Sequence, residues 1–369
     1  MIPTGDNDEA LGAALPPRLH IDPPLFNSAN PWATTLEDLR ALHACASTGA
    51  VTTRTALLGD GFAHDESIHR FAFFEAGTHR AGSSSDASLN TLGYSPIPLE
   101  GYLGFIKTID GEVKRGEGVE MERRRNKPFI VSVTGSPDEV AECYRCVAAL
   151  AHEVAVPLAM EVNLSCPNIP GKPPPAYDGA ALRAYVGRIA EAVTEGEGKG
   201  RGKIPWGVKT PPYTHAGQFE MFAAALGEGA LAPPGKDTVS GRESRSTKTC
   251  PLSFVTATNT LGSCLLLTES EGESESESGE VPLGIGGVAG APLHPLALGN
   301  VATLRRLLDA APETAHVAVL GIGGVADAAG YRRMRRVGAA AVGVGTALGI
   351  KGLGFFGEIE GGLGGVWEV

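Results

Sequence analysis

No run of apolar residues in this chain approaches the ~18 that a membrane span needs. The stretch up to Arg18 holds acids and prolines rather than a basic segment followed by an apolar one, so neither export nor an anchor is expected. Six cysteines (Cys45, Cys143, Cys146, Cys166, Cys250 and Cys264) in 369 residues make no disulfide framework, which points to the reducing cytoplasm. Positive charge is scarce too. The formal net charge is −11, and the nearest candidate for a basic run, Arg123-Arg124-Arg125, lies among glutamates and reads as a solvated loop. Nucleic acid is therefore not expected as a partner, and neither is a membrane. What is present is core material: 43% hydrophobic residues rule out global disorder. Gly (50) and Pro (26) make up about a fifth of the chain, short of the ~25–30% of low-complexity sequence. The surplus glycine needs a local cause, such as tight turns or backbone brought close to a ligand.

After an irregular N-terminus, apolar residues at 36, 39, 42 and 45 follow a helical period, with Thr34 or Thr35 as N-cap. Short apolar strands are expected at 49–54, 87–92, 129–134, 158–164, 206–210, 254–258, 317–320 and 340–344. Amphipathic helical stretches such as 137–150 and 180–193 separate them. Eight such strands, several without a period-2 alternation, indicate parallel strands covered by helices. The expected fold is a single (β/α)8 TIM barrel spanning 1–369, with a doubly wound open sheet as the alternative. Two segments read as insertions. One is the Gly/Lys/Glu turn region 195–203. The other is an acidic loop at 269–280 with six Glu and no base, expected to be disordered.

The sharpest chemical signal is Glu161-Val-Asn163-Leu-Ser165-Cys166-Pro-Asn168-Ile-Pro-Gly171-Lys172-Pro. It begins where an apolar strand ends, at the barrel mouth where such enzymes keep their active sites. Asn amides on either side of one cysteine can donate to and accept from a planar polar heterocycle. A thiol of pKa near ~8.5 can act as base or nucleophile. The bland alternative is a small buried hydrophobe. Glycines cluster at Gly321-Ile-Gly323-Gly324-Val-Ala326 and at Gly343-Val-Gly345-Thr346. Both follow strands late in the chain, where barrels of this kind bind phosphate on backbone N–H groups. The hexapeptide Gly-Ile-Gly-Gly-Val-Ala also occurs at 284–289. Its loose likeness to a dinucleotide fingerprint is set aside, because neither copy opens a βαβ unit with an acid some twenty residues on.

The run Asn163-Leu-Ser-Cys166-Pro-Asn168-Ile-Pro-Gly-Lys-Pro, with Ala176-Tyr177-Asp178 beyond it, closely resembles the catalytic loop of class 1 dihydroorotate dehydrogenases. Its Pro-Gly-Lys-Pro continuation resembles the fumarate-linked, cytosolic subgroup, and the likeness runs from about 27 to 348. The resemblance implies oxidation of dihydroorotate to orotate with FMN as cofactor, fumarate as acceptor, and a homodimer. It makes Cys166 the general base at C5 of the substrate and Lys209, in Trp206-Gly-Val-Lys209, a cation at the flavin edge. It assigns Asn90, Leu92, Gly93, Tyr94, Asn163, Asn168, Asn259 and Thr260 to the substrate. Ser28, Ala29, Arg54, Asn163, Lys209, Gly286, Gly287, Gly323, Gly324, Gly345 and Thr346 are assigned to the cofactor.

Two positions depart from the family pattern. Arg54 stands where a lysine is usual, keeping the charge but changing its geometry, and Ser28-Ala29-Asn30-Pro31-Trp32 replaces an Ala-Ser-Gly stretch. An FMN oxidoreductase of the same barrel with another pyrimidine or unsaturated substrate therefore stays open, as does a non-catalytic FMN-binding paralogue. No metal is expected. Cys143 and Cys146 have CxxC spacing but lie mid-helix without a second pair, and His64 and His69 share no helix face.

Overall fold

The computed structural model describes residues 15–165, 174–200, 202–230, 248–267 and 284–368. Cys166, Asn168 and the acidic loop 269–280 lie outside them. The strands in chain order are β1 (Leu25–Asn27), β2 (Ala50–Thr52), β3 (Phe71–Phe74), β4 (Ala87–Asn90), β5 (Phe129–Val133) and β6 (Leu158–Asn163). They continue with β7 (Trp206–Thr210), β8 (Phe254–Ala257), β9 (Leu261–Leu265), β10 (Ile285–Gly290), β11 (Ala318–Ile322) and β12 (Ala341–Val344). Eight of these close a parallel barrel in the order β1-β12-β11-β8-β7-β6-β5-β2. This is the expected (β/α)8 architecture, and helices cover its outside. Inside it, Phe26, Ile130, Ala159, Phe254, Leu320 and Ala341 form a packed plug. Each large apolar side chain buried there contributes ~1.5–3 kcal/mol.

Seven of the eight expected strands are staves of this barrel; segment 87–92 is not. Its β4 belongs to a second, antiparallel sheet of order β3-β4-β10-β9, and the missing stave is β1. Three residues, Leu-Phe-Asn, are too short for any periodicity to register. The fully buried Ala-Ser-Leu of β4 imitates a barrel strand because the sheet presses it against the barrel mouth.

Helix starts follow their local chemistry. Thr35 caps the helix Leu36–Ala44 through a capping box, with Asp38 N donating to Thr35 Oγ1 at 3.1 Å and Thr35 N to Asp38 Oδ2 at 2.9 Å. Ser136 and Glu139 repeat the device at Pro137–Leu150. Arg123, Arg124 and Arg125 are the last turn of a helix, Val119–Asn126, rather than a loop. Acids in its first turn and cations in its last complement the helix dipole, and Glu120 pairs with Arg123. Likewise Glu195 to Gly198, read as turn, are the end of the helix Gly179–Gly198. Arg145 holds Glu195 across two hydrogen bonds.

Candidate active site

A pocket opens at the C-terminal ends of the barrel strands, roofed by β4 and β10 of the second sheet. That is where barrel geometry collects side chains from many strands. Its non-atom space is about 1190 Å³, with open solvent at the mouth included.

The pocket wall includes Ser28, Ala29, Arg54, Asn90, Leu92, Gly93, Tyr94, Asn163, Lys209, Asn259, Thr260, Gly323, Gly324, Gly345 and Thr346. Every sequence-predicted residue inside the described range is therefore brought together, except Gly286 and Gly287. Those two lie in β10, where Gly287 is paired with Asn90 of β4. A Cβ on Gly286 would stand 2.4 Å from the Asn90 carbonyl oxygen. These glycines let two strands cross closely, and Asn90 Nδ2 donates to Gly287 O at 3.2 Å. The pocket glycine of this segment is Gly290, whose φ of 86° suits only glycine. Two identical hexapeptides thus take different roles, because only the one at 321–326 leaves a barrel strand.

A polar chain crosses the barrel top. Ser132 Oγ donates to Glu161 Oε1 at 3.0 Å, lies 3.0 Å from Thr55 Oγ1, and Asn163 Nδ2 donates to that Thr55 oxygen at 3.1 Å. Asn163 Oδ1 accepts from Ser165 N and Oγ, and Asn259 Nδ2 donates to Ser165 Oγ at 2.9 Å. Ser165, the residue before Cys166, is thereby held from two strands. Neither Ser165 nor Thr55 was singled out from sequence, since a lone hydroxyl carries no pattern. The pairing of β2 with β5 and of β5 with β6 brings Thr55 to Asn163, and the pairing of β6 with β7 and of β7 with β8 brings Ser165 to Asn259.

Two cations border the same space. Lys209 is only 3% exposed and makes no ion pair among the described residues. Arg54, also buried, donates from Nη2 to Gly93 O at 3.2 Å, with His64 Nε2 at 3.3 Å. Burial pushes its guanidinium below the ordinary value, but an Arg so shifted keeps its charge. Uncompensated buried cations ask for an anion. Opposite them, among the described residues, nothing accepts from the N–H groups of Gly324 or Val325. Gly324 has φ 65°, and a Cβ there would meet Gly290 O at 2.4 Å. On the sequence expectation of a flavin phosphate at this turn, Gly324→Ala should cost at least about tenfold in FMN affinity. Fluorescence titration with FMN checks this, and unchanged affinity would dismiss the glycine cradle.

The thiols set aside earlier stay inert. Burial pushes Cys143 and Cys250 up to about 12, so neither offers a thiolate. Among the described residues no cluster could hold a metal ion, and no helix is long and apolar enough to cross a membrane.

Fold and site together define a (β/α)8 protein whose mouth gathers two buried cations and several side-chain amides. Residues 81–366 match the family model of dihydroorotate dehydrogenase, and the chain belongs to that family. It is 31% identical to the dihydroorotate dehydrogenase (fumarate) of Trypanosoma cruzi, over 91% of this chain and 87% of that protein. It is 26% identical to dihydroorotate dehydrogenase A (fumarate) of Lactococcus lactis, over 91% of this chain and 88% of the other. Among solved structures, the Eimeria tenella DHODH in complex with ferulenol matches with a TM-score of 0.63 at 16% identity. That match covers 92% of this chain and 80% of that one, and supports the fold.

Proposed function

We propose that this protein oxidises dihydroorotate to orotate in de novo pyrimidine biosynthesis, with one bound FMN and with fumarate as electron acceptor. The observation that carries the reading is the convergence on one pocket of Lys209 with Asn163 and Asn259, the two amides bonded to the serine that precedes Cys166. The residues fit FMN. Unpaired amides at Gly324 and Val325, beside Gly345 and Thr346, suit its phosphate, and the buried Lys209 ammonium suits a ring that gains negative charge on reduction. When bound, FMN supplies a two-electron acceptor for the C6 hydride of the substrate.

The chain's own groups do the rest. Cys166 takes the C5 proton, and the preceding Ser165 is held by Asn163 and Asn259. Side-chain amides of Asn90, Asn163, Asn168 and Asn259, with Thr260, pair the N–H and C=O groups of the pyrimidine. A substrate lacking those groups leaves buried amides unpaired, and so is rejected. Arg54, with the backbone of Leu92, Gly93 and Tyr94, holds the substrate carboxylate. The test is anaerobic. Dihydroorotate added to the purified yellow protein should bleach its 450-nm-region flavin band (~450 nm, the cofactor's own absorbance), and fumarate should restore it faster than NAD or quinone. A flavin that stays oxidised overturns the substrate, and preferential recovery with NAD or quinone overturns the acceptor. The same reading carries a cytoplasmic homodimer, for which light scattering should return twice 38.1 kDa.

A further inference from the structure

His294 opens the helix His294–Asp309 and is 8% exposed. Its two ring nitrogens have different partners. Arg333 Nε lies 3.0 Å from Nε2, and Gly323 O lies 2.7 Å from Nδ1. A guanidinium can only donate, so Nε2 must accept, and the ring proton sits on Nδ1 and is donated to Gly323 O. Arg333 makes no ion pair among the described residues, so its charge bears on the imidazole alone. A donor bonded to one ring nitrogen strengthens the hydrogen bond made by the other.

The carbonyl that receives this bond belongs to the same peptide unit as the Gly324 N–H. In a planar trans peptide the two groups point in opposite directions. Pinning the Gly323 carbonyl on His294 therefore turns the Gly324 N–H away from His294, and Gly324 lines the pocket. With φ of 140° and 65°, Gly323 and Gly324 have no side chain to hold this turn in place. A Cβ on Gly323 would meet Ala297 at 2.4 Å, and one on Gly324 would meet His294 Cβ at 2.7 Å. An external brace is the only means of fixing a two-glycine turn that would otherwise sample several conformations.

We propose that Arg333 and His294 form a relay that aims and polarises the Gly324 amide toward the phosphate of the bound flavin nucleotide. Both are positioning residues that do not themselves touch the ligand. The inference rests on the FMN reading above and deepens it. Because the relay acts on the phosphate end, it separates FMN from riboflavin, which has the same ring and no phosphate.

The experiment measures quenching of free flavin fluorescence by apoprotein, with FMN and with riboflavin. The proteins are the wild type, His294→Ala, His294→Asn and Arg333→Gln. His294→Ala should weaken FMN about tenfold, one lost charge-assisted hydrogen bond, and leave riboflavin within about twofold. His294→Asn places an amide N–H near the Nδ1 position and should recover most of the loss. Arg333→Gln, an exposed helix position, should weaken FMN by a smaller factor without unfolding the chain. Parallel losses for FMN and riboflavin, or no rescue by Asn, would reduce His294 to a packing role and overturn the relay. Wild-type protein that binds neither flavin would instead overturn the cofactor reading itself, and the relay with it.

Discussion

Replacing Cys166 with Ala is expected to lower dihydroorotate turnover by ~10²–10⁴-fold at neutral pH, the range lost with a general base, while FMN stays bound. On the proposed function the C5 proton goes to Cys166, the role that the family loop Asn163-Leu-Ser-Cys166-Pro-Asn168 implies. The described residues on either side of this segment are held in place. Ser165 is fixed by Asn163 and Asn259, and the segment's return is tied by Ala176 N donating to Leu164 O at 3.2 Å. Tyr213 adds a second tie, its hydroxyl donating to Ala176 O at 2.7 Å. Both ends of the loop are thus anchored without help from the thiol, so Cys166→Ala should leave the fold and the flavin spectrum intact. Steady-state turnover and the visible spectrum of the same preparation decide the matter. Unchanged turnover removes Cys166 as base, and turnover lost together with flavin would show a structural role instead.

Acidification should destabilise this protein chiefly through the imidazole of His43. His43, on the helix Leu36–Ala44, is 0% exposed and stacks on Phe129 with ring centroids 4.8 Å apart and an interplanar angle of 4°. Among the described residues neither ring nitrogen meets a partner at full hydrogen-bond geometry. Burial above all, then the Lys127 and Arg124 cations, lowers it to about 3, with the Lys127 backbone and Asp110 pulling weakly the other way. An unfolded His takes up its proton near pH ~6.5, so between there and pH 3 the unfolded chain binds the extra proton. The contribution to stability is complete above the unfolded value and is lost as pH falls toward 3. The loss is on the order of 4 to 5 kcal/mol, a large part of a typical ~5–15 kcal/mol total.

Lys127, lowered to about 7 chiefly by burial, changes its contribution between its ordinary value and pH 7, so of these two groups His43 acts in the acid window, where His64 and His316, also held low by burial, act in the same direction. His43→Leu removes both ring nitrogens and should be neutral or stabilising at pH 7. Its acid limb should also be much shallower in urea unfolding at pH 7, 5.5 and 4.5. Coincident acid limbs for the two proteins would show that His43 does not control this transition.

How much of this could be read beforehand differs from residue to residue. The strands at 129–133, 158–163, 206–210 and 254–257 were legible because a stave buried on both faces reads as an unbroken apolar run. The loop that carries Cys166 was legible because several residue types recur there at fixed spacing. β1 was not, since three residues hold no period, and it is a stave only because Phe26 pairs with both Ala50 and Gly343. Nor was the second sheet, whose β4 and β10 are some two hundred residues apart and meet through backbone bonds that leave no residue signature.

The sequence by itself determined the barrel class, through apolar runs alternating with capped amphipathic helices, and it determined the family chemistry, through a motif whose spacing is specific. Only the tertiary structure decided which glycines serve the pocket. The hexapeptide Gly-Ile-Gly-Gly-Val-Ala forms a roofing strand at 284–289 and a turn with two positive-φ glycines at 321–326. The reason is physical. Glycine carries almost no conformational preference of its own, so its role comes from what packs around it. At 284–289 that is Asn90 in an antiparallel ladder, and at 321–326 it is His294 and Ala297 at the end of a barrel strand.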